Sequence, residues 1–313
     1  MITNFTELRK QAKSALAGKS IPRLGVIFPT DSTHIEAIFE AVDDGLIKPT
    51  LFGPTLEINK LLDEAVSDSF GSDQVNVGMD VIDCATAEEA ARKALAMVQK
   101  GELDLLLKAN QPMREFVDLL FDNQIGLAGK KDVVTHIELL QHNRYHKLMM
   151  VSDGAVIAEP DAARKISILN NAAALAHTLG NEMPKAALLA AAEGIYPAVP
   201  VSMEEAALAK MADRGLIKGM LVDGPLSFDI AINAEVAKSK GLTGSPVAGD
   251  TDIFIPPTMS TANGVYKAMV QYAGAEAAGI IYGASIPIAT ASAVDSSTNV
   301  LNSISLGVLV ATT

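Results

Sequence analysis

The sequence predicts an α/β protein with mainly parallel sheets, divided into two domains. Short Val/Ile/Leu-rich runs alternate with Ala-rich helical stretches along almost the whole chain. At 313 residues the chain exceeds what one ordinary core holds. Apolar residues make up 49% of it, yet aromatics only 4%, with no Trp, which suits close-packed helices over aliphatic strands.

Each element follows from local chemistry. "RLGVIFP" is a buried strand, and "DSTHIEAIFEAVDDG" a helix capped by Asp31 or Ser32 and ended by Gly45. "KPTLFGP" and "MDVIDC" are strands. "TAEEAARKALAMVQKG" is a helix capped by Thr86, with Glu88 and Glu89 at the positive end of its dipole. "LDLLLKAN" is a strand running into a turn, and open parallel sheets hold ligands at such ends. In "DVVTHIELLQHNRYHKLMMVSDGAVIAEP" strand-like runs follow one another across a polar turn, so an antiparallel excursion and a domain crossing are expected there.

Alternation then resumes. "PDAARKISILNNAAALAHTLG" is a helix with Pro160 near its first position, and His177 lies inside it as a structural residue. "KAALLAAAEG" is a strand, "SMEEAALAKMADRG" a helix capped by Ser202, and "IKGMLVDGPLSFDIAI" a strand leaving through Asp223-Gly224-Pro225. "DTDIFIPPTMSTANGVYKAMVQYAG" gives strand, loop and helix. "AAGIIYGASIPI" reads as the last strand, and the final helix packs back on the first domain. The expected domains are 1–145 plus 288–313, and 146–287.

Composition excludes several classes. The net charge of −12 opposes nucleic acid, which needs a basic face. The longest apolar runs fall short of a membrane span, and the N-terminus lacks the pattern of a signal peptide. The one cysteine, Cys84, rules out an internal disulfide and a CxxC zinc site and reads as a core residue. No HExxH, GxSxG, Walker A or GxGxxG motif occurs, so no metal site is expected. A cytoplasmic protein fits these features.

Three turns gather small polar groups: "KANQPM" after Lys108, "VVTHIE" with Thr135 and His136, and "TASAVDSS" with Ser292, Asp295, Ser296 and Ser297. The last joins an apolar run to a helix, a local arrangement that suits an anion at the helix N-terminus. Each turn taken alone is also explained by capping and by side-chain bonds to the local backbone.

"VAGD…PPTMSTANGVYKA", "VDGPLSFDIAI", "YHKLMMVSDGAVIAEPD" and "KMADRGLIKG" together resemble the phosphotransacylase family, phosphate acetyltransferases and phosphate butyryltransferases, with the butyryl branch nearer. The resemblance spans nearly the whole chain. It implies a fold like the isocitrate and isopropylmalate dehydrogenases, with the active site in an interdomain cleft. It also implies transfer of an acyl group between coenzyme A and phosphate, a homodimer, no tightly bound cofactor, and coenzyme A or acyl-CoA and phosphate as small-molecule substrates.

Carried onto this chain, the catalytic candidates are Ser292, Asp295, Thr135 and His136. The substrate-binding candidates are Lys108, Asn110, Asn263, Tyr266, Lys267, Gly283 and Ser296. The chain departs from the pattern at Ala293, where the family has a phosphate-binding arginine, at Ala109 in place of a glycine, and at Gln111, Pro112 and Met113 in place of small polar residues. These departures leave a second reading open, a weakly active paralogue that binds coenzyme A or acyl-CoA as a partner subunit. A dehydrogenase of the related fold lacks the Asp cluster and Arg trio it would need.

Overall fold

A computed structural model describes residues 1–70, 79–292 and 294–313. The chain forms two compact units, one of Thr6–Val134 with Ala278–Thr313 and the other of Met1–Phe5 with Thr135–Ala277. The first is called the terminal unit here and the second the central unit.

Helix α1 (Phe5–Ala15) precedes strand β1 (Arg23–Ile27), which is buried after its first residue. Helix α2 (Ser32–Asp43) begins at Asp31, whose carboxylate accepts the His34 N–H at 2.9 Å, and Gly45 follows its end at φ +70°. Strand β2 (Lys48–Gly53), helix α3 (Thr55–Phe70) and strand β3 (Asp80–Asp83) come next. Thr86 caps α4 (Ala87–Gln99) by accepting from the Glu89 N–H at 3.2 Å, and the Glu89 carboxylate reaches back to the Ala85 N–H at 2.9 Å. Strand β4 (Leu105–Lys108) is buried throughout and leads to α5 (Met113–Leu120). Cys84 lies in the terminal unit's apolar core.

The central unit starts with antiparallel strands β5 (Thr135–Gln141) and β6 (Met149–Ser152), as the two apolar runs around "QHNRYHK" predict. Helix α6 (Ala162–Thr178) is capped by Asp161, so Pro160 stands just outside it rather than at its first position. The Asp161 carboxylate reaches the Arg164 N–H, which proline cannot do for itself. His177 holds the Gly219 carbonyl at 2.8 Å. After β7 (Lys185–Leu189), α7 (Pro200–Asp213) starts two residues before Ser202, which therefore lies inside the helix rather than capping it. Pro200 opens that helix, and the Ser202 hydroxyl instead ties the preceding turn at Tyr196 and Val199. Strand β8 (Leu221–Leu226), short helices α8 (Phe228–Ile232) and α9 (Ala234–Ser239), strand β9 (Ile253–Ile255) and helix α10 (Met259–Lys267) complete this unit. Its strand order is β5-β6-β9-β7-β8, parallel from β6 onward. Gly224 in β8 admits no side chain, because a Cβ there would lie 2.7 Å from the Leu188 Cβ.

"AAGIIYGASIPI" with its following residues forms two strands, not one. Strand β10 (Glu276–Tyr282) turns at Gly283 and pairs antiparallel with β11 (Ile288–Thr290). The turn at "GASI" breaks the apolar run, and Gly283, at φ +95°, supplies the left-handed residue it needs. Helix α11 (Ser297–Thr312) follows and packs on α2 and β11. The terminal unit's strand order is β3-β2-β1-β4-β11-β10, parallel except for the last pair. The units divide at residues 134/135 and 277/278, where the sequence reading had 145/146 and 287/288. The antiparallel pairing of β5 with β6 holds β5 in the central unit, and the pairing of β10 with β11 draws most of β10 into the terminal one.

Candidate active site

In the terminal unit, Ile27, Lys108 and Thr290 are neighbours across three parallel strands, at the C-terminal ends of β1, β4 and β11. The polar turns after these strands therefore meet at one sheet edge. Lys108 is the charged residue of that row and is only 6% exposed. Its ammonium donates to the Ala109 carbonyl at 3.1 Å and the Gln111 carbonyl at 2.8 Å, and pairs with no carboxylate among the described residues. Burial lowers its pKa to about 8.

Asn110 is held from the other side. Its Nδ2 donates to Asp31 at 2.6 Å and to Thr30 Oγ1 at 3.1 Å. The carboxylate only accepts, which fixes the orientation of the amide. Asp31 also holds His34 Nδ1 at 2.7 Å. Burial pushes the Asp31 carboxyl up, but hydrogen bonds from His34 and Asn110 outweigh it and hold it well below the usual carboxylate range. Phe28, whose carbonyl accepts the Asn110 N–H, is the one non-glycine residue at positive φ (+59°) among the described residues. Such strain persists where surrounding contacts over-determine the backbone. Sequence reading took Asp31 for a cap alone and missed this cluster. The polar run "TDSTH" directly after a strand was the available signal.

The turn after β11 is internally tied. Asp295 accepts the Ser292 N–H at 2.7 Å, and Ser296 caps α11 by accepting the Asn299 N–H at 3.3 Å. Ser296 thus keeps its own O–H to donate. Ala293 lies outside the described residues. Lys108, Asn110, Ser292, Asp295 and Ser296 are brought to one edge. Gly283 is not: it sits in the β10–β11 turn, beyond the Ile288 end of β11, which pairs near the start of β4.

The central unit gathers the remaining candidates in two places. Thr135 is fully buried and accepts from the Asn171 amide at 3.1 Å. His136 Nδ1 lies 3.7 Å from Glu138 Oε1, and its carbonyl accepts from the Ser152 hydroxyl and the Gly154 N–H. Asp153, next along, is buried and accepts the Ala155 and Val156 N–H groups at 2.8 Å each. Burial outweighs these bonds and pushes its carboxyl up to about 6. Glu138, within β5, and Asp153, just after β6, escaped the sequence reading, because a carboxylate in or beside a strand gives no sign in the sequence of being buried.

On α10, Asn263 and Lys267 share a face four residues apart, with Asn263 exposed and Lys267 half-buried. Tyr266 is 5% exposed and packs with Ala262 in the central unit's apolar core, on a face of the helix adjacent to the one that carries Asn263 and Lys267. Its ring lies 5.3 Å from the Lys267 ammonium. No cluster of three or more metal-ligating His, Cys, Asp or Glu occurs among the described residues.

Solved structures set this architecture in a class. The chain superposes on a branched-chain phosphotransacylase from Enterococcus faecalis V583 with a TM-score of 0.76, at 22% identity, over 93% of this chain and 99% of that one. It superposes on a 4-hydroxythreonine-4-phosphate dehydrogenase from Klebsiella pneumoniae with a TM-score of 0.53, at 14% identity, over 94% and 99%. The fold is that of the phosphotransacylases, shared more distantly with this dehydrogenase group.

Sequence then narrows the class. The chain belongs to the family Phosphate acetyl/butaryl transferase, which it matches over residues 24–308. It is 34% identical to a phosphate butyryltransferase of Clostridium acetobutylicum across 99% of both chains. It is equally identical to a phosphate acetyltransferase of Thermotoga maritima, across 92% of this chain and 95% of that one. Among the described residues, no helix is long and apolar enough to cross a membrane.

Proposed function

We propose that this protein is a phosphate acyltransferase that moves an acyl group between coenzyme A and phosphate. In the direction of acyl-CoA synthesis the thiol loses its proton and its sulfur attacks the acyl carbon. The carbon–oxygen bond to phosphate then breaks, and inorganic phosphate leaves. Negative charge develops on the acyl oxygen and on the departing phosphate, so donors are needed at both. A base is needed near the sulfur.

The observation that carries the reading is the buried ammonium of Lys108, with no carboxylate partner among the described residues, at the shared edge of β1, β4 and β11. A buried cation calls for an anion. We assign phosphate to this edge, with Lys108 and the hydroxyls of Ser292 and Ser296 as donors and Asp295 holding the turn. Ser292 and Asp295 act at the reacting phosphate end. His136, with Thr135 beside it, is assigned to the proton of the thiol, and Asn263 and Lys267 to coenzyme A. Tyr266 supports Lys267 from the core.

No tightly bound cofactor is part of this scheme; coenzyme A acts as substrate. Cytoplasmic residence and a homodimer belong to the same proposal, the second resting on the family and open to light scattering. The test is thiol release or consumption by the purified protein, using acetyl-CoA, butyryl-CoA and longer acyl-CoAs with phosphate. Phosphate-dependent turnover of at least one acyl-CoA is expected. Its absence from all of them, with coenzyme A binding intact, would overturn the reading.

A further inference from the structure

The turn after β4 carries a side chain that the scheme above does not use. Gln111 is 2% exposed, and both polar atoms of its amide, Nε2 and Oε1, are buried with no hydrogen-bond partner among the described residues. Buried amides are ordinarily satisfied, and each unmet group works against folding. The neighbouring Asn110 shows the contrast, since its amide is committed to Asp31 and Thr30. Gln111 also shares its turn with the buried ammonium, because Lys108 Nζ donates to the Gln111 carbonyl at 2.8 Å.

We infer that Gln111 reads the phosphate, and that it selects the monohydrogen dianion by offering a donor and an acceptor together. This rests on phosphate occupying the edge beside Lys108. Monohydrogen phosphate presents acceptor oxygens and one P–OH donor. The Gln111 Nε2–H donates to an oxygen while Oε1 accepts the P–OH, and Lys108 supplies the charge. An apolar acyl chain would leave both amide atoms unmet, at the full desolvation penalty. The amides of the coenzyme A arm would satisfy them but bring no charge for Lys108. Sulfate matches phosphate in shape and charge but has no proton to give, so it leaves Oε1 unmet.

The test uses the full-length protein, with inorganic phosphate and inorganic sulfate titrated by calorimetry near neutral pH at constant ionic strength. Wild type is expected to bind phosphate more tightly than sulfate. Gln111→Leu is expected to weaken phosphate about tenfold, the effect of losing a hydrogen-bonded pair to a charged group. It should also narrow the preference over sulfate, leave coenzyme A binding unchanged, and hold or raise Tm, because it removes two unmet polar groups. Higher stability with weaker phosphate binding is a combination that a purely structural glutamine would not produce. Gln111→Met serves if the leucine variant does not fold, with the same expectations.

Equal wild-type affinity for the two anions would overturn the inference, as would unchanged phosphate binding in both variants. Loss of coenzyme A affinity instead of phosphate affinity would also overturn it, by moving Gln111 to the other substrate. Binding is read without turnover. A protein that binds phosphate through Gln111 but transfers no acyl group would therefore sink the proposed function and leave this inference standing.

Discussion

Lys108 and Asp153 are both buried ionisable groups, but their titrations run in opposite directions. Burial lowers the Lys108 pKa to about 8, so the fold disfavours its charged form. The unfolded chain then holds the extra proton between about pH 8 and the ordinary lysine value near 10.4. Over that window Lys108 makes stability rise with pH, and below it the penalty is fully present. Activity should move the other way, because the proposed phosphate contact needs the ammonium. We expect kcat/KM for phosphate to fall as pH rises through about 8. We expect Lys108→Met to lower it roughly a hundredfold, in line with losing a transition-state donor. A pH–rate profile that stays flat to pH 10 would refute the assignment. For Asp153 the carboxyl sits near 6, so its charged form is penalised above that pH and the penalty is relieved as pH falls toward 4. Asp153→Asn keeps an oxygen for the Ala155 and Val156 N–H groups. It should stabilise the protein at pH 8 by about 2–3 kcal/mol, and the gain should vanish near pH 4. Denaturant melts at the two pH values check this.

At the scale of elements, the ends of strands and helices carry the site. Ser296 both caps α11 and faces the edge where phosphate is proposed, and the two roles separate by substitution. Ser296→Ala should cost about 1 kcal/mol through the lost cap. Ser296→Asp should keep the cap, since aspartate accepts the Asn299 N–H equally well, yet raise KM for phosphate by repulsion. Equal effects of both variants on KM would show that only the hydroxyl proton matters. The same logic explains why α10 divides its polar run. Its period sends Ala262 and Tyr266 into the core and leaves Asn263 and Lys267 on another face.

For the whole molecule, each unit has its own apolar core, one around Phe52, Phe116 and Leu106 and the other around Phe254, Val151 and Tyr266. A net charge of −12 supplies no general field for anionic substrates, so the proposal gives that task to local donors such as Lys108. Coenzyme A bound to the folded state alone should raise stability by about 2.7 kcal/mol at a hundred times its Kd. Thermal melts at millimolar coenzyme A should shift upward by several degrees. No shift, together with no calorimetric heat, would remove coenzyme A from the proposal.

The sequence alone determined the alternation of strand and helix, the antiparallel excursion around residues 135–152, the cap at Thr86, and the caps of α2 and α11 to within one of two adjacent residues, Asp31 or Ser32 and Ser296 or Ser297. Those features depend on neighbours within a few residues, and local chemistry writes them directly into the chain. Motifs such as "VDGPL" and "STANGVYK" also carried the family. Only the tertiary structure decided that Ile27, Lys108 and Thr290 stand in one row, that Asn110 is held by Asp31, and that Tyr266 is core. It alone set Gln111 apart from Asn110, one amide unmet and the other with its Nδ2 held by Thr30 and Asp31. Burial and pairing sum over groups far apart in the chain, and Asn110 and Asp31 are 79 residues apart. A residue's type states which bonds it is able to make, and only the packed fold determines which of them water no longer supplies.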